Sequence, residues 1–500
     1  MSKNFKIISN FALSRIYIHT MTLPKDFIKQ TKAALGDRLW QILADGLAAE
    51  PPASIRTNPY KCADGEWEVG SSDGRVPWCA DGYYLSARPN FTFDPMLHAG
   101  MYYVQEASSM FLDRVLRQYA ADGPVRMLDM CAAPGGKSTV ARAALPEGSL
   151  LVSNEPVRQR ANILAENMQK FGHRDVIVTN NYPQDFAHSG IVFDIILADV
   201  PCSGEGMFRK DPAAIGEWSL QNVEKCWRLQ RDIVADAWRC LRPGGLFIYS
   251  TCTFNTKEDE LNVMYMCEEM GAEVLNVDIN DSWRITESAF TGFDKPVYRF
   301  IPGLTRGEGL FMAVMRKPEN GHAENISQKT KKAKKERHQK RDNGVACTCM
   351  KWLRRPDDFN TAVNGNTITA IPRSWEPLYN IINKSLNVLS AGVTLGEMKG
   401  KDIIPAQALA LSTSIDRSAF PNVELDYAQA VSYLRKEAVP LAEGTPCGHV
   451  LMTYKDIPLG FEKNIGNRAN NLYPAEWKIK STHTPEGNNE ILNQVSRDRI

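Results

Sequence analysis

At 500 residues the chain is too long for one hydrophobic core; roughly 150 residues per domain implies about three domains. Hydrophobic residues make up 43% and charged residues 23%, which excludes collagen-like, fully disordered and coiled-coil classes. Lys and Arg number 59 against 58 Asp and Glu, a net charge of +1, so any sign of a nucleic-acid partner must come from local clustering.

The 11 cysteines are odd in number and form no CxxC pair. A secreted disulfide framework would be denser and more regular, so a reducing cytoplasm is expected. Cys347 and Cys349 are close in sequence, but no second pair with zinc spacing accompanies them, and no metal is expected. No apolar run approaches the ~20 residues of a membrane span. The first twenty residues mix Lys3, Lys6 and Arg15 with Phe5, Ile7, Ile8 and Phe11 and lack a small-residue cleavage site. A mis-assigned upstream start codon is favoured there over a targeting segment, with Met21 as the ordinary start.

Apolar spacing predicts a helix over 25–48. Six prolines between 50 and 100, with many glycines and aromatics, favour short strands and loops. A helix is expected over 102–119. From 125 onward, strands alternate with helices. Apolar runs at 125–130, 150–153, 176–179, 193–198 and 246–249 are separated by helices opening near Lys137, over 157–170 and over 221–241. Pro243-Gly244-Gly245 is expected to stop the last helix. Asn255 or Thr256 is expected to cap the next, with Glu258 or Asp259 behind it. Runs at 297–300 and 310–315 can complete the sheet. The alternation argues for a parallel sheet covered on both faces. Between Lys329 and Arg341 stand eight Lys or Arg and one acid, Glu336, with no apolar period. Such a block is a solvated spacer or an RNA-contacting arm. Globular composition resumes over 345–480, with a boundary expected near 425.

Small residues follow the first strand of the alternating region: Asp129-Met130-Cys131-Ala132-Ala133-Pro134-Gly135-Gly136-Lys137. They let a ligand approach backbone at the carboxyl edge of the sheet. The stretch is neither GxxxxGK[ST] nor GxGxxG, so the ligand need not carry phosphate. Glu155, after the second strand, can accept both ribose hydroxyls of an adenosine moiety or serve as a helix N-terminal acid. Asp199-Val200-Pro201-Cys202-Ser203-Gly204-Glu205-Gly206 follows the fourth strand, and Cys252 follows the fifth within Ser250-Thr251-Cys252-Thr253. Two cysteines thus reach the same ligand edge, where a thiolate can attack an electron-poor carbon. Zinc is the rival reading, but no histidine or third cysteine stands near either in sequence.

DMCAAPGGKST, ILADVPCSGEGMFRKDP and YSTCTFNTKEDE resemble the Nop/Sun-type RNA cytosine-5 methyltransferases. SIRTNPYK at 54–61 and YYVQEASSM at 102–110 are similar to that family's N-terminal segments. PLGFEKNIGNRANNLYPAEW at 458–477 resembles the PUA-like module of its bacterial RsmF type, which methylates 16S ribosomal RNA. The resemblance spans about 23–479 and is weak over the linker and 345–424. It implies an α/β fold: a Rossmann-like S-adenosylmethionine-dependent methyltransferase core, an N-terminal α+β extension and a C-terminal PUA-like RNA-binding module. The division expected is 1–100 for the RNA-binding extension, 101–317 for the core and 318–344 for the basic linker. An intermediate domain at 345–424, the PUA-like domain at 425–480 and a tail at 481–500 follow.

The resemblance also implies roles. Cys131, Ala132, Ala133, Pro134, Gly135, Gly136 and Lys137 would wrap the methionine end and ribose of S-adenosylmethionine. Glu155 would hold the ribose hydroxyls and Arg160 would support it. Asp199 would lie between cofactor and cytosine. Cys252 would be the nucleophile, and Cys202 would help resolve the intermediate. The family often places an Asp near the adenine amino group after the third strand. This chain has Asn180 and Asn181 there, and either amide can accept that hydrogen bond. The expected partner is ribosomal RNA of the small subunit or its assembly intermediate, met by a cytoplasmic monomer. Lys463, Asn464, Asn467, Arg468, Asn470 and Asn471 form a polar, basic stretch expected to contact RNA. Competing readings are a transfer-RNA cytosine-5 methyltransferase and a non-catalytic ribosome-assembly factor; the latter needs neither Cys202 nor Cys252. An amino-group methyltransferase would place Asn/Asp-Pro-Pro-aromatic where Asp-Val-Pro-Cys stands.

Overall fold

The computed structural model describes residues 22–62, 65–319, 348–400, 402–481 and 490–495. The first twenty residues, the basic block at 329–341 and Cys347 lie outside them.

Helix α1 (Lys25–Ala48) forms where the apolar spacing predicts it, interrupted at Gly36, whose φ is 73°. It buries Phe27, Leu43 and Leu47 against Phe208, Trp218 and Phe254 of the core domain. Full burial of such side chains is worth roughly 1.5–3 kcal/mol each. Strands β1 (Ala53–Thr57), β2 (Trp67–Val69), β3 (Ser72–Arg75) and β4 (Gly82–Leu85), helix α2 (Pro95–His98) and β5 (Tyr102–Val104) follow. Four of the strands make an antiparallel sheet in the order β3-β4-β1-β5.

The expected helix over 102–119 is therefore corrected. Residues 102–104 are strand, and helix α3 spans only Phe111–Tyr119 after a short 3-10 turn. Two causes are visible. Val104 pairs with Ile55 across the sheet. The Glu106 carboxylate accepts the N–H groups of Ser108 and Ser109 at 2.7 and 2.8 Å, so helical structure begins only there.

The core domain alternates as expected: β6 (Arg126–Asp129), α4 (Gly136–Ala144), β7 (Leu150–Asn154), α5 (Arg158–Phe171), β8 (Val176–Thr179), α6 (Pro183–Ser189) and β9 (Phe193–Asp199). Then come α7 (Pro212–Glu217), α8 (Leu220–Arg239), β10 (Leu241–Thr251), α9 (Glu260–Met270), β11 (Glu273–Val274), β12 (Tyr298–Phe300) and β13 (Leu310–Arg316). Five strands run parallel in the order β10-β9-β6-β7-β8, and β13 closes one side antiparallel to β10. The order reverses between β6 and β9, the switch point where ligands bind in doubly wound sheets. Helices α3, α4 and α5 supply Val115, Val140 and Leu164 to one face. Helices α6, α8 and α9 supply Phe186, Ile233 and Val263 to the other.

Two local expectations change. Helix α8 ends at Arg239, before Pro243-Gly244-Gly245. Those residues lie inside β10, whose register with β9 shifts between Leu241 and Leu246. A bulge absorbs them, with Gly244 at φ 70°. Helix α9 starts at Glu260 behind Asp259, so neither Asn255 nor Thr256 caps it; Asn255 instead accepts the N–H of Glu258.

Beyond the core lie β14 (Phe359–Asn364), β15 (Thr367–Pro372), β16 (Val388–Ala391), β17 (Val393–Lys399) and β18 (Asp402–Pro405). Strand β16 leaves its neighbours and pairs antiparallel with β8, extending the central sheet. The last module holds β19 (Asn422–Glu424), β20 (Gly448–Tyr454), β21 (Ile457–Asn464) and β22 (Ala469–Asn471), hydrogen-bonded in that order. Strand β23 (Leu492–Gln494) returns to pair with β2. Ile55, Leu85 and Met96 of the N-terminal module share one core with Tyr433, Val450 and Leu492.

Candidate active site

Cys131, Ala132 and Ala133 are buried directly after β6. Gly135, at φ 115°, turns the chain into α4, and only glycine adopts that value cheaply. Helix α5 pins the loop from outside. Arg160 Nη2 donates to Ala133 O at 2.9 Å and Asn167 Nδ2 to Pro134 O at 2.7 Å. Lys137 Nζ donates to Asp199 Oδ2 at 2.9 Å, tying this loop to the end of β9. Burial lowers the Lys137 pKa, but Asp199 outweighs it and the net shift is upward.

Glu155 is buried at the end of β7. Its Oε1 accepts the Val157 N–H at 3.0 Å. Among the described residues its Oε2 has no hydrogen-bond partner, and Arg160 Nη2 stands 3.5 Å away. An acceptor left open at this edge fits a ligand hydroxyl. Asp129 Oδ1, at the end of β6, is also buried with no partner among the described residues, while Oδ2 accepts the Ser138 hydroxyl. Burial pushes Asp129 up to about 7. Nothing in the sequence distinguished Asp129 from an ordinary strand-end acid.

The two asparagines after β8 differ. Asn181 donates through Nδ2 to Asn387 O at 3.2 Å and accepts the Asn387 N–H at 3.0 Å, so both ends of its amide are engaged. Asn180 gives Nδ2 to Glu155 O and Pro156 O, and its Oδ1 meets only Asn387 Nδ2, at 3.5 Å. Asn387, just before β16, is a border residue that sequence reasoning missed.

The structure brings Cys202 and Cys252 together: their sulfurs are 3.0 Å apart. The hydrogen bond with Cys252, then burial, holds the Cys202 thiol well above its ordinary pKa. Asp199 stands beside them at the end of β9, with Oδ1 accepting the Ser250 hydroxyl at 2.6 Å. The flanks of Cys252 are fixed by Asp259 Oδ1, which accepts the Thr251 and Thr253 hydroxyls. Asp259 in turn meets the fully buried Arg299 at 2.9 Å. Two further acids, Glu205 and Glu258, lie within the quoted motifs and bind backbone of the opposite loop. Their positions were visible in sequence; their partners were not.

In the last module, the polar stretch divides. Asn464 and Asn471 spend their amides on the carbonyls of Thr445, Pro446, Tyr433 and Glu437. Asn467, Arg468 and Asn470 are exposed, and Lys463 is half-buried 3.4 Å from Asp402. Among the described residues, no cluster of three or more His, Cys, Asp or Glu could hold a metal ion. No described helix is long and apolar enough to cross a membrane.

Known proteins carry the same organisation. Residues 23–107 match the N-terminal domain of 16S rRNA methyltransferase RsmF, and 120–316 match the family described as 16S rRNA methyltransferase RsmB/F. Residues 420–479 match the RsmF PUA domain. The ribosomal RNA small subunit methyltransferase F of Aliivibrio fischeri is 30% identical over 85% of this chain and 88% of its own. That of Vibrio cholerae is 29% identical over 91% and 98%. A methyltransferase homologue from Pyrococcus horikoshii superposes with a TM-score of 0.50 at 24% identity, covering 59% of this chain and 96% of its own. The NSun6 structure from the same organism, determined with SFG, also has a TM-score of 0.50, at 20% identity, over 59% and 99%. These two similarities establish the fold. The matches along the chain and the extent of the relatives place this protein in the RsmB/F family of 16S rRNA methyltransferases.

Proposed function

We propose that the protein methylates carbon 5 of a cytosine in ribosomal RNA of the small subunit, through a covalent cysteine–cytosine intermediate. The observation that carries this reading is the contact between Cys202 and Cys252 beside Asp199, at the edge where the cofactor loop ends. S-adenosylmethionine fits that edge, because Glu155 Oε2 is an open acceptor suited to ribose hydroxyls. The loop from Cys131 to Lys137 would enclose its methionine end. Asn180, whose Oδ1 is the less engaged of the two amide oxygens, would face its adenine amino group. When bound it supplies the electrophilic methyl group.

Carbon 5 of cytosine is a poor nucleophile, and a thiolate solves this by adding to carbon 6. In this reading Cys252 is the attacking sulfur, the role the family resemblance implies, and its contact with Cys202 places a second thiol beside it. Addition pushes charge toward ring nitrogen 3, where the Lys137–Asp199 pair can meet it. Carbon 5, now enamine-like, takes the methyl group. A base takes the carbon 5 proton, the electron pair of that bond re-forms the carbon 5–carbon 6 double bond, and the carbon 6–sulfur bond breaks to release the Cys252 thiolate. Cys202 acts in this second half. The base must be unstacked to enter the pocket, and the N-terminal and PUA modules would hold the surrounding RNA.

The two cysteines should therefore fail differently. Cys252→Ala should give neither methylated product nor adduct. Cys202→Ala should accumulate a denaturant-resistant protein–RNA adduct through Cys252. Denaturing gel electrophoresis after incubation with ribosomal RNA and S-adenosylmethionine reads both. An adduct in Cys252→Ala alone would reverse the roles. Methylation intact in both variants, with no adduct, would sink the covalent reading.

A further inference from the structure

The two thiols arrive on separate strands, fifty residues apart in sequence, and no covalent link fixes their distance. Two carboxylates do so in a crossed arrangement. Glu205, three residues after Cys202, accepts the N–H groups of Phe254 and Asn255, just beyond Cys252, at 2.6 and 3.1 Å. Glu258, six residues after Cys252, accepts the N–H and the hydroxyl of Ser203, next to Cys202. Asn255 Nδ2 joins the two, at 2.9 Å from each. Gly206 N–H adds a direct bond to Cys252 O at 2.7 Å. Trp218 and Gln230 close the outside, donating to Glu205 and Glu258.

Both carboxylates are fully buried, and neither forms an ion pair among the described residues. Burying acids without cations is costly unless hydrogen bonds replace water. Apolar side chains would fill the same space at lower cost but could not accept main-chain N–H groups from the facing loop. That points to geometry rather than stability as what the acids supply. Burial pushes Glu205 up to about 7 and raises Glu258 as well, so the arrangement is held at an electrostatic cost.

We propose that Glu205 and Glu258 are positioning residues that keep Cys202 and Cys252 in sulfur contact, and that this contact governs covalent turnover. The inference rests on the proposed covalent reading. Its first test does not. Diamide takes two hydrogens from adjacent thiols, forming one disulfide and the corresponding hydrazine. The rate of the Cys202–Cys252 disulfide, followed by peptide mass spectrometry on the full chain, reports how well the sulfurs are held.

Glutamine is isosteric, but its NH2 cannot accept, so two donors on one side lose their partner. Glu205→Gln and Glu258→Gln should each slow disulfide formation by about tenfold, the equivalent of one or two hydrogen bonds. Methyl transfer to ribosomal RNA should slow in step, with adduct formation affected. Thermal unfolding is measured alongside. If either variant does not fold, Ser203→Ala, which removes one hydroxyl donor to Glu258 and leaves both carboxylates in place, should slow the disulfide by about threefold. Unchanged disulfide rates in folded variants would overturn the positioning role. A slower disulfide with undiminished turnover would overturn the claim that sulfur contact governs the reaction. Failure of the covalent reading itself would show separately, as methylation by Cys252→Ala.

Discussion

The amide of Asn181 and the backbone of Asn387 exchange two hydrogen bonds across 206 residues of sequence. The segment after the linker is thereby built into the edge of the proposed cofactor site. Asn387→Pro removes the N–H that Asn181 accepts and should weaken S-adenosylmethionine binding by about five- to tenfold. Asn387→Ala keeps both main-chain bonds and should lose less. Calorimetry compares them; equal affinity in the proline variant would show that the adenine end does not depend on this border.

Glu155→Ala should cost roughly 1.5–3 kcal/mol of cofactor binding, the range for hydrogen bonds to a charged group. Arg160→Ala should cost less for the ribose. Arg160 is 52% exposed and 3.5 Å from the carboxylate, a weakly held pair. Titration of both variants with S-adenosylmethionine gives the order, and a larger loss in Arg160→Ala would point to its bond with Ala133 O as the more important contact.

The parallel strands from β6 to β10 were legible because strands buried on both faces are short apolar runs bounded by turns. Residues 102–104 were not, because Tyr102, Tyr103 and Val104 satisfy a helical period and a strand equally well, and pairing with β1 decided it. Cys202, Cys252 and Glu155 were legible as candidate site residues because each follows an apolar run at a strand end. The roles of Glu205 and Glu258 were hidden because their partners are main-chain N–H groups, which every residue carries. Asn387 was hidden because its partner lies 206 residues away.

Glu462 in β21 is fully buried, and neither oxygen has a hydrogen-bond partner among the described residues. Burial pushes it from its ordinary 4.5 up to about 7. The folded protein therefore holds a proton that the unfolded chain has released. The resulting stability is fully present below about pH 4.5 and is lost as pH rises through about 7. Melting temperature should fall over that window, and Glu462→Leu should flatten part of the fall. Asp129 and Glu205, shifted the same way, leave the rest. At pH 8 the leucine variant should be more stable by about 1–3 kcal/mol, the cost of an unpaired buried polar group.

Arg468 is exposed in the last module, whereas the Asn471 amide is spent on Tyr433 O and Glu437 O. Arg468→Ala should weaken ribosomal RNA binding and reduce the log–log salt slope by roughly 0.7, the contribution of one phosphate contact to a single strand. Asn471→Ala should lower the melting temperature while leaving that slope unchanged. Binding isotherms at several salt concentrations separate the two effects.

The core shared by the first and last modules has a consequence for synthesis. Ile55, Leu85 and Met96 emerge from the ribosome early, but Tyr433, Val450 and Leu492 cover them only near the end of translation. At roughly 5–20 residues per second, that face waits on the order of tens of seconds without its partner. The nascent N-terminal sheet therefore exposes apolar surface throughout elongation. Expressed alone, it should be insoluble, and co-expression with the C-terminal half should rescue it.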